Sequence, residues 1–468
     1  MSRYYYLETL GCPKNMVDAK GIARLLAQAG YAGTPNLAQA DVLIVNTCGF
    51  IEAARAQSIA ALRELAARKC PGQLLIAAGC LSQRWGPALA DSVPALDGIL
   101  GTRCWVDILR LLDRVERMGQ RPVVMREPRD RLDDPLVRTQ RVAVQGPSAY
   151  LKIADGCSAS CAFCTIPAIK GPARSRPRAD VVADAEQLVR QGVQEIILIA
   201  QDTTAYGWDQ GEGDGLPDLM ERMLKRVPHL HWLRLLYAYP QHISPRLIEV
   251  MASYPQVCHY LDLPLQHAHP EVLHRMRRPA DVNAVHRLIT ELRSAMPDIA
   301  LRTSFIVGYP GETQEEFQAL LDFVAEIQFD KVGVFTYSRE EDTPAAELPG
   351  QLPQMVKEER YRQVMELQQR ISLARNRGMV GRTLEVLVEG CNEGLSVGRS
   401  YRDAPEIDGL VLVEDELPIG KMVPVRITEA LEYDLAGVVD SDVVLTNPES
   451  PPSPEIGGRR RCPEGKGG

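Results

Sequence analysis

Three cysteines in one short segment have the spacing of metal-cluster ligands. Cys157, Cys161 and Cys164 form a C-x-x-x-C-x-x-C pattern directly after the apolar run at 149–153. Iron–sulfur cubanes are held by Cys thiolates, normally one for each of the four irons. Three local thiolates therefore predict a cubane with one open iron, and an open coordination position is what a catalytic metal needs.

A structural zinc site is the alternative interpretation of this segment. Closed zinc sites take four ligands, usually two cysteine pairs at C-x-x-C spacing. The next cysteine downstream is the solitary Cys258, so the second pair is missing. The ligand count therefore favours the cluster.

Three further cysteines are predicted to form a second site. Cys12, Cys48 and Cys80 each follow a short apolar run, and a glycine stands beside each of them. Strand–helix alternation in this region predicts a doubly wound parallel sheet, whose carboxyl strand ends share one crevice. We therefore expect these thiols to converge on a second cluster. The alternative is that they are small buried hydrophobic residues.

The rest of the chain has an α/β pattern that can position these sites. Past residue 141, six strand-like runs alternate with helical stretches, which predicts a partial TIM-like barrel of six βα units. Short strands with glycine turns follow, which predicts a small antiparallel β-barrel. The predicted divisions are 1–122 for the first domain, 123–140 for a linker, 141–374 for the central domain, 375–446 for the small barrel and 447–468 for a disordered tail.

Composition narrows the setting and the classes of function. The 468 residues carry a formal net charge of −8, which argues against a general nucleic-acid binder. The amino terminus has no secretory signal features, so we expect the eleven cysteines to work as ligands in a reducing cytoplasm. No apolar run approaches the length of a membrane span.

The predicted small barrel is acidic. Residues 382–442 contain five basic and fourteen acidic residues, a net charge of about −9. This is the wrong sign for binding phosphates, which argues against tRNA as a partner of this barrel. An acidic surface should instead attract a basic protein.

The C-x-x-x-C-x-x-C loop, with Phe163 before its third cysteine, resembles the radical S-adenosylmethionine (SAM) enzymes. Together with the strand-end trio and the small barrel, it resembles the radical SAM methylthiotransferases over nearly the whole chain. Four stretches resemble the RimO-type branch, which modifies an aspartate of small-subunit ribosomal protein twelve. These stretches are Leu10-Gly-Cys-Pro-Lys-Asn-Met-Val-Asp18, Asn46-Thr-Cys-Gly-Phe-Ile51, Tyr260-Leu-Asp-Leu-Pro-Leu-Gln-His267 and Gly398-Arg-Ser-Tyr-Arg-Asp-Ala-Pro-Glu-Ile-Asp408. The last lies on the acidic barrel, and ribosomal proteins are basic.

The resemblance implies cofactors, partners and roles for the site residues. Two 4Fe-4S clusters are implied, one on Cys157, Cys161 and Cys164 that cleaves SAM, and an auxiliary one on Cys12, Cys48 and Cys80 that carries the inserted sulfur. SAM would be both methyl donor and radical source. Gln201, Asp202 and Gly308 follow predicted strands and are expected to contact it. Ribosomal protein twelve is the expected substrate, and an electron donor such as a flavodoxin-type reductant is expected as a second partner.

Two alternatives stay open from the sequence. One is the tRNA branch of the same family, which modifies an adenosine beside the anticodon. The other is an iron–sulfur electron-transfer or cluster-carrier protein, in which protein ligands normally coordinate every iron. Both cysteine sets here stop at three, which argues against the carrier.

Overall fold

The computed structural model describes residues 3–119, 121–127 and 141–440. The predicted tail at 447–468 and most of the predicted linker lie outside these residues. Three domains follow one another along the described chain. No helix within these ranges combines the length and apolar character that spanning a bilayer requires.

The first domain is a six-stranded parallel sheet, as the strand–helix alternation predicted. Its strand order is β2-β1-β3-β4-β5-β6. One apolar core packs α1 and α5 against one face, and a second packs α2, α3 and α4 against the other. The elements are β1 Arg3–Thr9, α1 Pro13–Gln28, β2 Tyr31–Gly33, β3 Val42–Thr47, α2 Glu52–Arg68, β4 Leu74–Gly79, α3 Cys80–Trp85, α4 Ala88–Ser92, β5 Gly98–Gly101, α5 Ile108–Arg117 and β6 Val123–Met125.

The first domain extends beyond its predicted end at residue 122, because β6 belongs to its sheet. Residues 123–125, which the sequence placed in the linker, pair in parallel with β5 from Gly98 onward. Three residues are too few for an alternation of apolar and polar side chains to be recognised. The first domain therefore includes a short edge strand that only the pairing reveals.

The central domain contains the six parallel strands that were predicted. The open sheet has the order β15-β14-β13-β12-β11-β8-β7, and β7 is an additional edge strand antiparallel to β8. The elements are β7 Val142–Gln145, β8 Ser148–Lys152, β9 Ala154–Asp155, α6 Ile166–Lys170, β10 Arg174–Ser175, α7 Arg178–Arg190, β11 Glu195–Ile199, α8 Gly215–Arg226, β12 Trp232–Leu235, α9 Pro245–Ser253, β13 Val257–Gln266, α10 Pro270–Arg275, α11 Val282–Ala295, β14 Ala300–Val307, α12 Gln314–Ile327, β15 Lys331–Thr336 and α13 Gln354–Arg377.

Helix α12 shows why these elements form where they do. Thr313 is its N-cap, and its side chain accepts from the backbone N–H of Glu316. In return, the Glu316 carboxylate accepts from the backbone N–H of Thr313 at 2.9 Å. This reciprocal pair satisfies two N–H groups that a helix start leaves without partners. The apolar side chains of α12 then face the sheet and join the largest core.

The third domain is a small closed barrel. Its strands are β16 Thr383–Asn392, β17 Leu395–Arg399, β18 Val411–Val413, β19 Met422–Ala430 and β20 Leu435–Val439. Four of the five pairings are antiparallel, and β18 pairs with β20 in parallel. Strand β17 was not predicted from the sequence.

The stretch 398–408 joins this barrel to the central domain. Arg399 donates to Glu195 at 2.5 Å, and Glu195 also accepts from Arg234 at 2.6 Å, all fully buried. Farther along, Tyr260 donates to Asp408 at 2.6 Å. These charged groups serve the domain joint, so they are not available to attract a basic partner.

Candidate functional site

Three cysteines of the first domain stand where a strand of the sheet gives way to the next segment. Cys12 is the N-cap of α1, Cys48 directly follows β3, and Cys80 begins α3 immediately after β4. Strands β1, β3 and β4 are neighbours, so their carboxyl ends lie side by side. We call these three residues the strand-end trio. The sheet brings together cysteines that are far apart in sequence.

Two glycines permit the close approach of these segments. Gly11 has a φ of +90°, and a Cβ built on it would lie 2.9 Å from the Sγ of Cys48. A Cβ on Gly49 would lie 2.7 Å from the Cα of Leu81, the residue after Cys80. Neither position has room for a larger side chain without a shift of its neighbours.

The protonation of the strand-end trio is set by burial and by nearby charges. Burial raises the pKa of Cys80 to about 12, with Lys170 opposing the rise and Cys12 and Cys48 adding to it. Burial also acts against ionisation of Cys12. There the Lys14 ammonium and backbone N–H groups outweigh burial, so the pKa of Cys12 lies below its ordinary value. Because the charges of the thiols act on one another, the trio occupies one electrostatic environment.

Cys157, Cys161 and Cys164 lie in the loop between β9 and α6, and we call them the loop trio. Gly156 precedes them with a φ of +74°, and a Cβ there would lie 2.1 Å from the carbonyl oxygen of Pro172. The loop therefore folds back closely on the segment after α6. Burial raises the pKa of Cys164 to about 12, and the charges of the other two thiols add to this rise.

Arg278 is a neighbour of the loop trio that the sequence did not reveal. Its Nη1 lies 3.8 Å from the Sγ of Cys161, and its Nη2 donates to the carbonyl oxygen of Pro264 at 2.5 Å. The guanidinium carbon also lies 4.1 Å from the centroid of the Tyr239 ring. The charge of Arg278 also opposes the rise that burial causes in the pKa of Cys164.

The two trios lie on the same side of the molecule. The hydroxyl of Thr165, next to Cys164, donates to the carbonyl of Phe50 at 3.5 Å, and Phe50 stands two residues beyond Cys48. Helix α3, which begins at Cys80, packs against α6. The carboxyl edge of the first sheet therefore faces the loop trio directly.

A buried ionic network joins the two trios. Asp18 of α1 accepts from the Nζ of Lys152 at 2.7 Å and from the Nζ of Lys170 at 2.9 Å. Arg141 and Asp155 complete the network. Burial opposes ionisation of Asp18, but Lys152 and Lys170 outweigh it and hold the pKa of this carboxyl below its ordinary value. Because α1 begins at the strand-end trio and α6 ends at Lys170, the network fixes the first domain against the central one.

The structure places two of the predicted SAM contacts near the loop trio. Asp202 is close enough for its charge to act on Cys157, and Gln201 precedes it, half-buried. The Oδ2 of Asp202 lies 2.8 Å from the Nδ1 of His242, whose ring in turn packs at 4.1 Å from that of Trp208. The sequence gave no reason to single out His242, since it fits no ligand spacing. Direct contact of Gln201 and Asp202 with SAM stays a prediction.

Gly308, the third predicted SAM contact, has a packing explanation. Its φ is +72°, and a Cβ there would lie 2.4 Å from the Cγ of Lys357 on α13. The glycine therefore lets α13 approach the end of β14. A role for Gly308 in binding SAM stays a prediction.

The donor sets fit clusters better than a single metal ion. Within 3–119, 121–127 and 141–440, no three His, Cys, Asp or Glu side chains are placed to hold one metal ion. A cubane carries its irons at separate corners, so its three thiolates do not have to meet at one point. Three soft sulfur donors in each set are the ligands that iron–sulfur clusters take.

Comparisons with known families match each domain separately. Residues 4–101 match the family described as "Uncharacterized protein family UPF0004", residues 151–324 match the radical SAM superfamily, and residues 380–439 match the TRAM domain. Each match covers one of the three domains described above.

Relatives match the chain as a whole. The ribosomal protein uS12 methylthiotransferase RimO of Chloroflexus aurantiacus is 52% identical over 454 residues, covering 92% of this chain and 99% of the relative. The protein of the same name from Roseiflexus sp. strain RS-1 is 50% identical and covers 92% and 96%. Among solved structures, the radical S-adenosylmethionine methyltransferase TsrM from Kitasatospora setae aligns with a TM-score of 0.53 at 15% identity, over 85% of this chain and 81% of TsrM. That likeness shows a shared fold.

Proposed function

The chain belongs to the family of RimO-type ribosomal protein uS12 methylthiotransferases, and we propose that it inserts sulfur and a methyl group at the β-carbon of an aspartate in that ribosomal protein. One observation carries this proposal beyond family membership. The strand-end trio and the loop trio face each other, joined by the contact of Thr165 with Phe50 and the ion pair of Lys170 with Asp18. Chemistry that passes between two clusters requires this placement.

We assign one 4Fe-4S cluster to each trio. Cys157, Cys161 and Cys164 would hold the cluster that binds SAM, and the strand-end trio would hold the auxiliary cluster. When bound, the clusters and SAM supply the 5′-deoxyadenosyl radical, the sulfur and the methyl group. A cubane held by three thiolates would keep one iron for a ligand other than those thiolates.

The residues around the trios would hold the two clusters in fixed positions relative to each other. Arg278 keeps a positive charge at Cys161, and the network on Asp18 prevents the first domain from sliding over the barrel. Cys80 and most of the network are buried, and such burial would help to keep water from reactive intermediates. Preorganisation of this kind reduces the entropic cost of bringing reactants together.

The substrate we propose is the basic ribosomal protein rather than tRNA. The described part of the small barrel keeps exposed acids that take no part in the joint with the central domain, among them Glu393, Glu414 and Glu416. Such a surface repels phosphates and attracts a basic protein. A ribosomal substrate implies work in the cytoplasm, with an electron donor such as a flavodoxin-type reductant.

Anaerobic reconstitution followed by mass spectrometry tests this function. Protein loaded with iron and sulfide is incubated with SAM, a reductant and recombinant uS12, with bulk tRNA in a parallel reaction. We expect one methylthio group on one aspartate of uS12 and none on tRNA adenosine. Methylthio adenosine in tRNA, with unmodified uS12, would assign the chain to the other branch.

A measurement of cluster content tests the second part of the proposal. Iron and sulfide analysis together with Mössbauer spectra should give two 4Fe-4S clusters for each chain. A single cluster in fully reconstituted protein would contradict the assignment of the strand-end trio. SAM cleavage without any modified product would point to a different acceptor.

A further inference from the structure

We propose that Lys14 is a positioning residue that binds the side-chain carboxylate of the acceptor aspartate. The inference rests on the proposed function and names a residue that holds its substrate. Lys14 stands in the first turn of α1, two residues after Cys12, and its side chain is more than nine-tenths buried.

Lys14 differs from every other buried lysine of the described chain. The other four have an oxygen partner for the ammonium: Lys152 and Lys170 bind Asp18, Lys331 binds Asp403, and Lys357 binds the carbonyl oxygen of Tyr337. Across the described ranges, Lys14 has neither an ion pair nor a hydrogen bond from its side chain. Its Nζ instead lies 3.2 Å from the centroid of the Tyr237 ring. Burying an unpaired ammonium is costly, and a cation–π contact offsets only part of that cost.

The ammonium lies between the strand-end trio and the interior of the central barrel. Tyr237 follows β12, at the carboxyl end of the barrel where active sites form. Lys14 follows Cys12 by two residues, and the backbone N–H of Tyr237, whose ring Lys14 contacts, donates to Asp262 of β13 at 3.3 Å. Asp262 is already engaged, because its Oδ1 accepts from Arg302 at 2.8 Å. Lys14 therefore has no carboxylate of its own beside the strand-end trio.

An aspartate side chain supplies the missing partner. Its carboxylate is bonded directly to the β-carbon at which sulfur is inserted, so fixing the carboxylate also fixes the reacting carbon. A lysine ammonium has three donors and no acceptor, so it binds a carboxylate through charge and two accepting oxygens, whereas a neutral amide offers it one accepting oxygen and no charge. An ammonium here thus selects aspartate over asparagine, and it also disfavours a neutral nucleobase.

A double-mutant cycle tests this pairing directly. The cluster-loaded protein with Lys14 or Lys14→Met is titrated with uS12 that carries either the native acceptor aspartate or asparagine, without SAM, so that binding is measured alone. Lys20→Met is the matched control, because Lys20 is an exposed lysine on the same helix. Lys14→Arg tests whether positive charge restores binding.

We expect Lys14→Met to lower affinity for the aspartate protein by about 10-fold or more, the size of a hydrogen bond to a charged group. Affinity for the asparagine protein should not change, and Lys20→Met should bind both like the unsubstituted enzyme. Lys14→Arg should recover part of the preference for aspartate. Iron content and SAM cleavage are measured for each variant, because loss of the clusters would weaken both substrates equally.

Two other results are possible, and they have different meanings. If Lys14→Met keeps the full preference for aspartate over asparagine, the inference is wrong although the proposed function stands. If the unsubstituted enzyme binds neither form of uS12, the proposed substrate itself is wrong. A loss of affinity for both forms with intact clusters would also overturn the pairing, since it would mark a general structural role.

Discussion

The two cysteine trios use opposite means to present three thiols. The loop trio is contained within eight consecutive residues, and a single glycine-led turn gathers it. The strand-end trio is drawn from three strands, and it exists only because β1, β3 and β4 are adjacent in the sheet. The first site can form locally, whereas the second requires that the whole first domain be folded.

Their surroundings differ as well. The loop trio has Arg278 beside Cys161, half-exposed and supplied by the loop after α10. The strand-end trio faces the buried ammonium groups of Lys14 and Lys170, and Lys170 is held by Asp18. We infer that the strand-end trio depends on docking of the first domain against the central one. Substitutions remote from its thiols should therefore reduce its ability to hold a cluster. Substitutions can separate the two sites.

The largest effect is expected at the loop trio. Cys161→Ala removes one of three ligands from the cluster that binds SAM, so formation of 5′-deoxyadenosine should stop completely. Chromatography of the anaerobic reaction measures it. Cys391→Ala, at an exposed cysteine of the small barrel, should cleave SAM normally.

A substitution in the strand-end trio should separate SAM cleavage from sulfur insertion. Cys80→Ala should leave 5′-deoxyadenosine formation close to that of the unsubstituted enzyme and abolish methylthio product. In the proposed function, the auxiliary cluster on the strand-end trio supplies sulfur, and the radical comes from the cluster on the loop trio. Equal loss of SAM cleavage in Cys80→Ala and Cys161→Ala, in folded proteins, would remove the distinction between the sites.

Docking of the two sites should depend on Asp18. Asp18→Asn leaves the buried ammonium groups of Lys152 and Lys170 without their shared carboxylate, so the free energy of unfolding should fall by about 3–5 kcal/mol. Urea denaturation measures the change. Asp113→Asn, which affects an exposed pair with Arg117, should shift the same quantity by no more than about 0.5 kcal/mol.

Acid should reduce the stability that Glu195 contributes at the end of the barrel remote from both trios. Burial opposes ionisation of Glu195, but Arg234 and Arg399 outweigh it and lower its pKa to about 2. Because its pKa is depressed on folding, ionised Glu195 contributes to the free energy of unfolding. This contribution is fully present above pH 4.5, the ordinary pKa, and is lost as the pH falls toward 2. The difference in melting temperature between the enzyme and Glu195→Gln should therefore narrow below pH 4.5. A constant difference across that range would show that Glu195 does not titrate in this way.

The smallest effect is expected from a single methyl group beside the strand-end trio. Gly11→Ala and Gly30→Ala both place a Cβ at positive φ, which costs about 1–2 kcal/mol. Only at Gly11 would the new atom press on Cys48, since nothing lies within 4 Å at Gly30. Iron analysis should thus show a loss of auxiliary cluster in Gly11→Ala alone. Equal iron in both variants would contradict the close approach.

Much of the fold follows from local patterns in the chain. Alternating strands and helices, the capping pair of Thr313 and Glu316, and the change to short strands after α13 are all visible in sequence. Seven short strands were not predicted, namely β2, β5, β6, β7, β9, β10 and β17. Each has only two to five residues, so the hydrogen bonds of a neighbouring strand define it more than its own side chains do.

The candidate site shows the same division at the level of residues. The placement of the cysteines in one loop and at three strand ends was predictable, because cluster ligands need a particular side chain at a particular spacing or at a strand end. Their role as ligands stays a prediction. Arg278, His242 and the network on Asp18 were not, since their partners come from other elements. The charged residues of 398–408 were predicted to matter through the acidity of the barrel, yet they form a joint between domains.

By itself, the sequence determined which residues can act as cluster ligands, the order of domains and the family resemblance, because these depend on residue type and local period. Only the tertiary structure decided that the two trios face each other and that Lys14 alone among the buried lysines of the described chain has no oxygen partner. The physical reason is that burial and charge pairing are properties of segments brought together by packing. Contacts between residues far apart in the chain leave no mark on local spacing.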